Sequence, residues 1–159
     1  MGIDKKDFIV GVCDKYDNTL LEKRREIEGN TIGCIAGDLL LIDDSMLKPT
    51  DYVTRDGRFL FSMLKNLRDR GCTVADEVTV LTNTSDEVKE RLDEFGGWKQ
   101  VQSLIDICNV KNFDVFLDDL NKSNICLRLS EKGFNLLEPI TLENGKRVVE
   151  LLMKASKRF

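Results

Sequence analysis

Pro49-Thr50-Asp51-Tyr52, four connecting residues, then Gly57-Arg58-Phe59-Leu60-Phe61: this stretch decides the fold. Proline fixes its own φ, and the Asp51 side chain can bond nearby backbone amides, so the first half reads as a turn and cap. The second half opens an apolar run, Leu60, Met63, Leu64 and Leu67, at helical spacing. The spacing predicts a helix from Arg58 to about Arg70, stopped by Gly71.

The same period extends in both directions. Upstream, helical signal begins near Leu20 and runs through Ile27, Ile32, Ile35 and Leu39 to Leu41. Gly29, Gly33 and Gly37 interrupt it, each at a cost of about 0.5–1 kcal/mol relative to alanine. At a spacing of four they leave a smooth stripe on one helix face, and charged flanks from Glu22 to Glu28 argue for close packing of another soluble helix. Asp43-Asp44-Ser45 restarts the chain, and Met46–Lys48 reads as a short helical turn. Met1–Thr19 fits a short strand, a short helix or a docking tail equally well.

Downstream, Asp76–Leu81 is compatible with helix or strand, because Val78 and Val80 alternate. Thr84 with Glu87 has capping-box spacing and starts a helix carrying Val88, Leu92 and Phe95, ended by Gly96-Gly97. Trp98, Val101, Ile105 and Cys108 share a face of the next helix. Asn112 is placed to cap the one after, with Phe113, Phe116, Leu117 and Leu120 on its core side and Leu127 and Leu129 extending it toward Gly133. Gly133, Pro139 and Gly145 punctuate a short region before a last amphipathic segment with Val148, Leu151, Leu152, Ala155 and Phe159 on one stripe. The expected core includes Ile32, Ile35, Leu39, Leu60, Phe61, Leu64, Leu92, Trp98, Leu104 and Phe116.

Composition limits the chemistry. A chain of 159 residues with 24 basic and 28 acidic side chains and no histidine lacks the commonest general base and metal ligand. A net charge of −4 argues against a dedicated phosphate-binding surface, and Lys122, Arg128, Lys146 and Arg147 read as solvated helix faces. The five cysteines, Cys13, Cys34, Cys72, Cys108 and Cys126, are widely spaced, with no Cys-x-x-Cys. They suit a reducing, intracellular compartment and small buried apolar roles rather than a zinc site. Neither a membrane-spanning run nor the apolar core of a secretion signal is read from the sequence. Gly145-Lys146 lacks the upstream glycine of a phosphate loop, and no Gly-x-Gly-x-x-Gly occurs. Asp43-Asp44 and Asp118-Asp119 are adjacent pairs that do not face each other on a helix, so they read as solvated charge. A non-enzymatic binding and assembly module is expected.

Several features in order resemble the N-terminal domain of DnaB-type replicative helicases, over roughly Glu26 to Leu129. Ile32-Gly33 with Leu39-Leu40-Leu41 resembles that family's Val-Leu-Gly-x-Leu-Leu opening helix. Pro49-Thr50-Asp51-Tyr52 is similar to its Pro-Glu-Asp-Phe. Arg58 and Phe61 fall on the Arg and Phe of its His-Arg-x-Ile-Phe, with Gly57 in place of the histidine. Gly71, Val74 and Asp76 resemble its Gly-x-x-Val-Asp with one extra residue. Gly96-Gly97-Trp98 resembles its Gly-Gly-Tyr/Phe, Asn112 with Phe116 its Asn-x-x-x-Tyr, and Leu127-Arg128-Leu129 its Leu-Arg-x-Leu. The replaced histidine and the insertion point to a divergent, phage-like branch.

The resemblance implies an all-α fold, a small helical head domain plus a helical hairpin. The expected divisions are an N-terminal extension (1–19), the head (20–97), the hairpin (98–132) and a segment leading to the interdomain linker (133–159). It implies self-association through hairpins into dimers and, in the full-length protein, a hexamer with a collar that contacts primase and a helicase loader. DNA would be met only through the full-length ring, ATP and Mg²⁺ would belong to a motor domain outside this chain, no membrane would be involved, and the location would be the cytoplasm of a bacterial or phage-infected cell. Motif residues Gly33, Pro49, Asp51, Tyr52, Arg58, Phe61, Gly96, Gly97 and Asn112 would be architectural, and Arg58 could pair with Asp51 or Asp56. A two-helix hairpin cannot bury all its apolar residues against itself. Trp98, Val101, Phe113 and Phe116 are expected at the junction with the head, and Ile107, Val110, Val115 and Ile125 between subunits. A stand-alone replication regulator, loader-like or a decoy for primase or helicase, would use the same helical fold. A reading frame continuing past Phe159 into a phosphate-loop motif would separate the two.

Binding to DNA by the isolated chain is expected to be weak and to fall steeply with added salt, because it would come only from counterion release. Salt-resistant, sequence-selective binding in a titration across ionic strengths would contradict this reading.

Overall fold

Residues 18–131 are described by a computed structural model. Among them every regular element is a helix or a 3-10 turn, with no strand. The elements are α1 (Asn18–Gly37), α2 (Leu41–Ser45), a 3-10 turn (Pro49–Asp51), α3 (Arg55–Asp69), α4 (Glu77–Asn83), α5 (Asp86–Phe95), α6 (Trp98–Ile107), a second 3-10 turn (Val110–Asn112) and α7 (Phe113–Glu131). The chain divides into two compact units, Met1–Leu120 and Asn121–Phe159. The described part of the second is the α7 stretch from Asn121, in which Ser123, Asn124 and Ile125 are half-buried. The expectations for 1–17 and 132–159, including the terminal amphipathic segment, lie outside the described residues.

In the first unit α1 is the central helix. Thr31 to Ala36 are buried one after another, so this part of α1 is enclosed on all sides rather than amphipathic. The principal helices packed on it are α3 and α6.

The link between α1 and α3 is polar and almost completely buried. Glu28 Oε2 accepts from Arg24 Nε at 2.7 Å and from the Val53 amide at 3.0 Å. Its Oε1 accepts from the Thr54 hydroxyl at 2.6 Å. Thr54 in turn caps α3, its hydroxyl oxygen accepting from the Gly57 amide at 3.0 Å. Arg24 also donates to the Asp51 carbonyl at 2.8 Å. Gly57 is buried because the carboxylate occupies its side-chain space: a Cβ there would run into Glu28 Oε1 and Thr54 Oγ1.

Beside this cluster Tyr52 is fully buried, stacked on Phe61 with ring centroids 4.8 Å apart. Its hydroxyl shares a 2.9 Å hydrogen bond with that of Thr31, and burial pushes the phenol well above its ordinary pKa. Arg58 donates through Nε to the Tyr52 carbonyl at 3.0 Å, a backbone partner rather than the carboxylate of Asp51 or Asp56. Asp56 instead pairs with Arg91 of α5.

Helix boundaries follow capping chemistry. Because Thr54 is the cap, α3 starts at Arg55, ahead of the expected Arg58. It ends in a two-bond closure, Gly71 N–H to Arg68 and Cys72 N–H to Leu67, with Gly71 at φ 93°. The ambiguous segment is helix α4. Asp76 accepts from the Thr79 amide at 2.7 Å, and Ala75 and Val80, at the two staple positions, are both buried. Ser85, not Thr84, caps α5, accepting from the Val88 amide, while Thr84 donates its hydroxyl to the Val80 carbonyl. Met46–Lys48 is not helical. The short helix lies just before it and ends at Met46, which takes a left-handed φ of 58°.

Of the expected core, Ile32, Ile35, Leu39, Leu60, Phe61, Leu64 and Leu92 are buried. Trp98, Leu104 and Phe116 are half-buried against that core. Phe61→Ala should lower unfolding stability by about 3–5 kcal/mol, read as a shift in denaturant midpoint, because it removes a fully buried ring and leaves Tyr52 without its stacking neighbour.

Candidate assembly surface

The α6–α7 connection is held against α1 by the glycine stripe. A Cβ on Gly33 would stand 2.6 Å from both Cys108 Sγ and the Leu104 carbonyl oxygen, so glycine permits the close approach of the two backbones. Gly29 faces Leu104, and Gly37 faces Ile105 and Val110, each at ordinary contact distance. The helix that the stripe accommodates is α6.

Asn109 then shapes the turn. Its side chain accepts from the Lys111 amide at 3.0 Å, and its carbonyl accepts from the Asn112 amide at 2.9 Å. The Cys34 thiol donates to the same Asn109 carbonyl at 3.5 Å, tying the turn to the middle of α1. The sequence places the cap at Asn112, directly before the apolar run. In the structure Asn109 caps the 3-10 turn Val110–Asn112, and Asn112 is the exposed last residue of that turn, directly before α7. An Asn two residues before an amide is the Asx-turn signal that marks it.

Burial raises both thiols in this seam. Cys34 is pushed up to about 11, by desolvation first and then by neighbouring Cys108, and Cys108 is raised by desolvation. Both stay protonated at neutral pH and act as packing groups, poorly suited to nucleophilic or ligand roles. No group of three or more His, Cys, Asp or Glu among the described residues is arranged to hold a metal ion.

Three of the four residues expected between subunits flank this turn and face solvent. Ile107, the last residue of α6, is 77 % exposed; Val110 in the turn is 38 % exposed; Val115 in the first turn of α7 is 61 % exposed. Ile125 lies in the second compact unit and is half-buried there. Of the residues expected at the junction with the head, Val101 and Phe113 are buried and Trp98 and Phe116 half-buried. Tyr52, Arg58 and Phe61 gather on the α1–α3 seam, and Asp51, in the turn opened by Pro49, receives Arg24 on its carbonyl. Gly96 and Gly97 join α5 to α6 at φ 125° and 76°. No helix among the described residues is long and apolar enough to cross a membrane.

No family model matches the chain, and no curated protein or solved structure is significantly similar to it.

Gly33→Ala should destabilise the protein by about 1–3 kcal/mol, because the added methyl has no free volume between α1 and α6. Gly29→Ala, at a position with ordinary contact distance, should cost less. Thermal melts of the two variants side by side check the difference.

Proposed function

We propose that this chain is a non-catalytic assembly module that pairs with a second copy through the α6–α7 turn, as the N-terminal domain of a DnaB-type replicative helicase does. The observation that carries this reading is the exposure of Ile107, Val110 and Val115 around one short connection whose backbone is fixed from beneath by Gly33 and Cys34. Exposed apolar side chains on a rigid support suit a contact made without reordering the backbone. A two-fold contact there is isologous, so each residue acts twice.

In this reading the Pro49–Phe61 residues that carry the family resemblance are architectural: they hold α3 on α1 and leave the turn free to pair. Paired modules form the collar of a hexamer in the cytoplasm and present a surface to primase or a helicase loader. ATP and Mg²⁺ belong to a motor domain beyond this chain, and the module itself turns over no nucleotide.

Ile107→Asp should weaken dimerisation while leaving the helical spectrum unchanged, since Ile107 is largely exposed in the single copy. Sedimentation over a concentration series reads this directly. A wild-type chain that stays monomeric at high micromolar concentration would overturn the intrinsic dimer. Mg²⁺-dependent ATP turnover by the pure chain, abolished by a point change within it, would overturn the non-catalytic assignment.

A further inference from the structure

A second surface, distinct from the α6–α7 turn, lies along α4 and the outer face of α6. An open groove of about 530 Å³ is lined by Glu77, Trp98, Lys99, Gln102, Ser103 and Asp106. Along α6 it extends from Trp98 to Asp106, which at 1.5 Å per residue is about 12 Å, or roughly two helical turns. Next to Glu77 the outer side of α4 is apolar. Val78 is 74 % exposed, and Leu81, one turn on, is also exposed, as is Val74 just before the cap. Ala75 and Val80 are buried, which fixes α4 with Val78 and Leu81 turned outward.

The charge of this face is net acidic. The helix α4 opens with exposed Asp76 and Glu77 at its N-terminus. Within the groove Glu77 and Asp106 outnumber Lys99, and Asp106 already accepts from Gln102 at 3.0 Å. Trp98 supplies a half-buried indole at one end, a surface on which a guanidinium or ammonium group is attracted to the ring.

We infer that this groove and the adjoining face of α4 dock a basic amphipathic helix of a partner protein. Its apolar stripe would cover Val78 and Leu81, and its Lys and Arg side chains would meet Glu77, Asp106 and the Trp98 ring. This inference is independent of pairing through Ile107.

Trp98 is the single tryptophan of the chain, so an emission change on peptide binding is assigned to this residue at the end of the groove. The full chain is titrated with three synthetic peptides: a Leu-striped Lys/Arg helix, a scrambled peptide of the same composition, and a Leu-striped Glu helix. The striped basic peptide should shift Trp98 emission, bind more weakly as salt rises, and lose about tenfold or more in affinity against Val78→Asp/Leu81→Asp and against Glu77→Lys/Asp106→Lys. All four changes are at exposed positions, and circular dichroism checks that each variant keeps its helices. Ile107→Asp should bind the peptide as wild type does. Equal binding of the scrambled peptide, preference for the acidic helix, unchanged affinity in either double variant, or binding without a change in Trp98 emission would each overturn the inference.

Discussion

One carboxylate organises the first compact unit. Glu28 is a charge withdrawn from water, and such a group is tolerated only when its lone pairs are occupied. Arg24 neutralises it from one turn earlier in α1, and Val53 and Thr54 supply further donors from the chain that enters α3. Those donors come from two separate parts of the chain, so the carboxylate fixes a register as well as an energy. If α3 slid by one residue against α1, Thr54 and Val53 would both lose the carboxylate. The stacked rings of Tyr52 and Phe61 then fill the space beside the cluster. The apolar packing gives this seam much of its strength, and the ionic cluster gives it a single arrangement.

The same logic explains why α1 carries so many glycines. A helix enclosed by neighbours must meet them at different distances. Toward α3 the separation accommodates a buried ion pair. Toward α6 it closes until the Leu104 carbonyl and the Cys108 sulfur occupy the space beside Gly33. The intrinsic cost of three glycines to the helix is offset by α6, which lies against that stripe and carries the exposed turn at its end. The close α1–α6 approach therefore sets where Ile107 and Val110 stand.

Much of the helical plan is legible in the sequence because capping and periodicity are local. The stop at Gly71, the Gly96-Gly97 junction and the apolar face of α3 come from residues close together in the chain. The errors are of two kinds. Thr84 and Ser85 are neighbours with the same capping ability, and only the hydroxyl donation of Thr84 back to Val80 shows which is free to cap. Asn109 opens a separate 3-10 turn ahead of α7, which the apolar run from Phe113 does not announce. The Glu28 cluster was not legible at all. Val53 and Thr54 are 25 and 26 residues from Glu28, and the Glu22–Glu28 stretch of α1, Glu-Lys-Arg-Arg-Glu-Ile-Glu, reads as solvated until α3 is laid upon it. The exposed turn was legible in kind, since a hairpin has more apolar residues than it can bury, whereas the groove beside Trp98 needs the position of α4, which the alternating valines left open.

Gly57 has a consequence for how such a chain can change over time. Glu28 fills the space that a side chain at position 57 would need, so the two positions share one volume. A side chain could enter at position 57 only if the Glu28 carboxylate gave way, and Arg24, which that carboxylate neutralises, would then need another anion. Substitutions at 24, 28 and 57 are therefore coupled: the effect of any one depends on the other two.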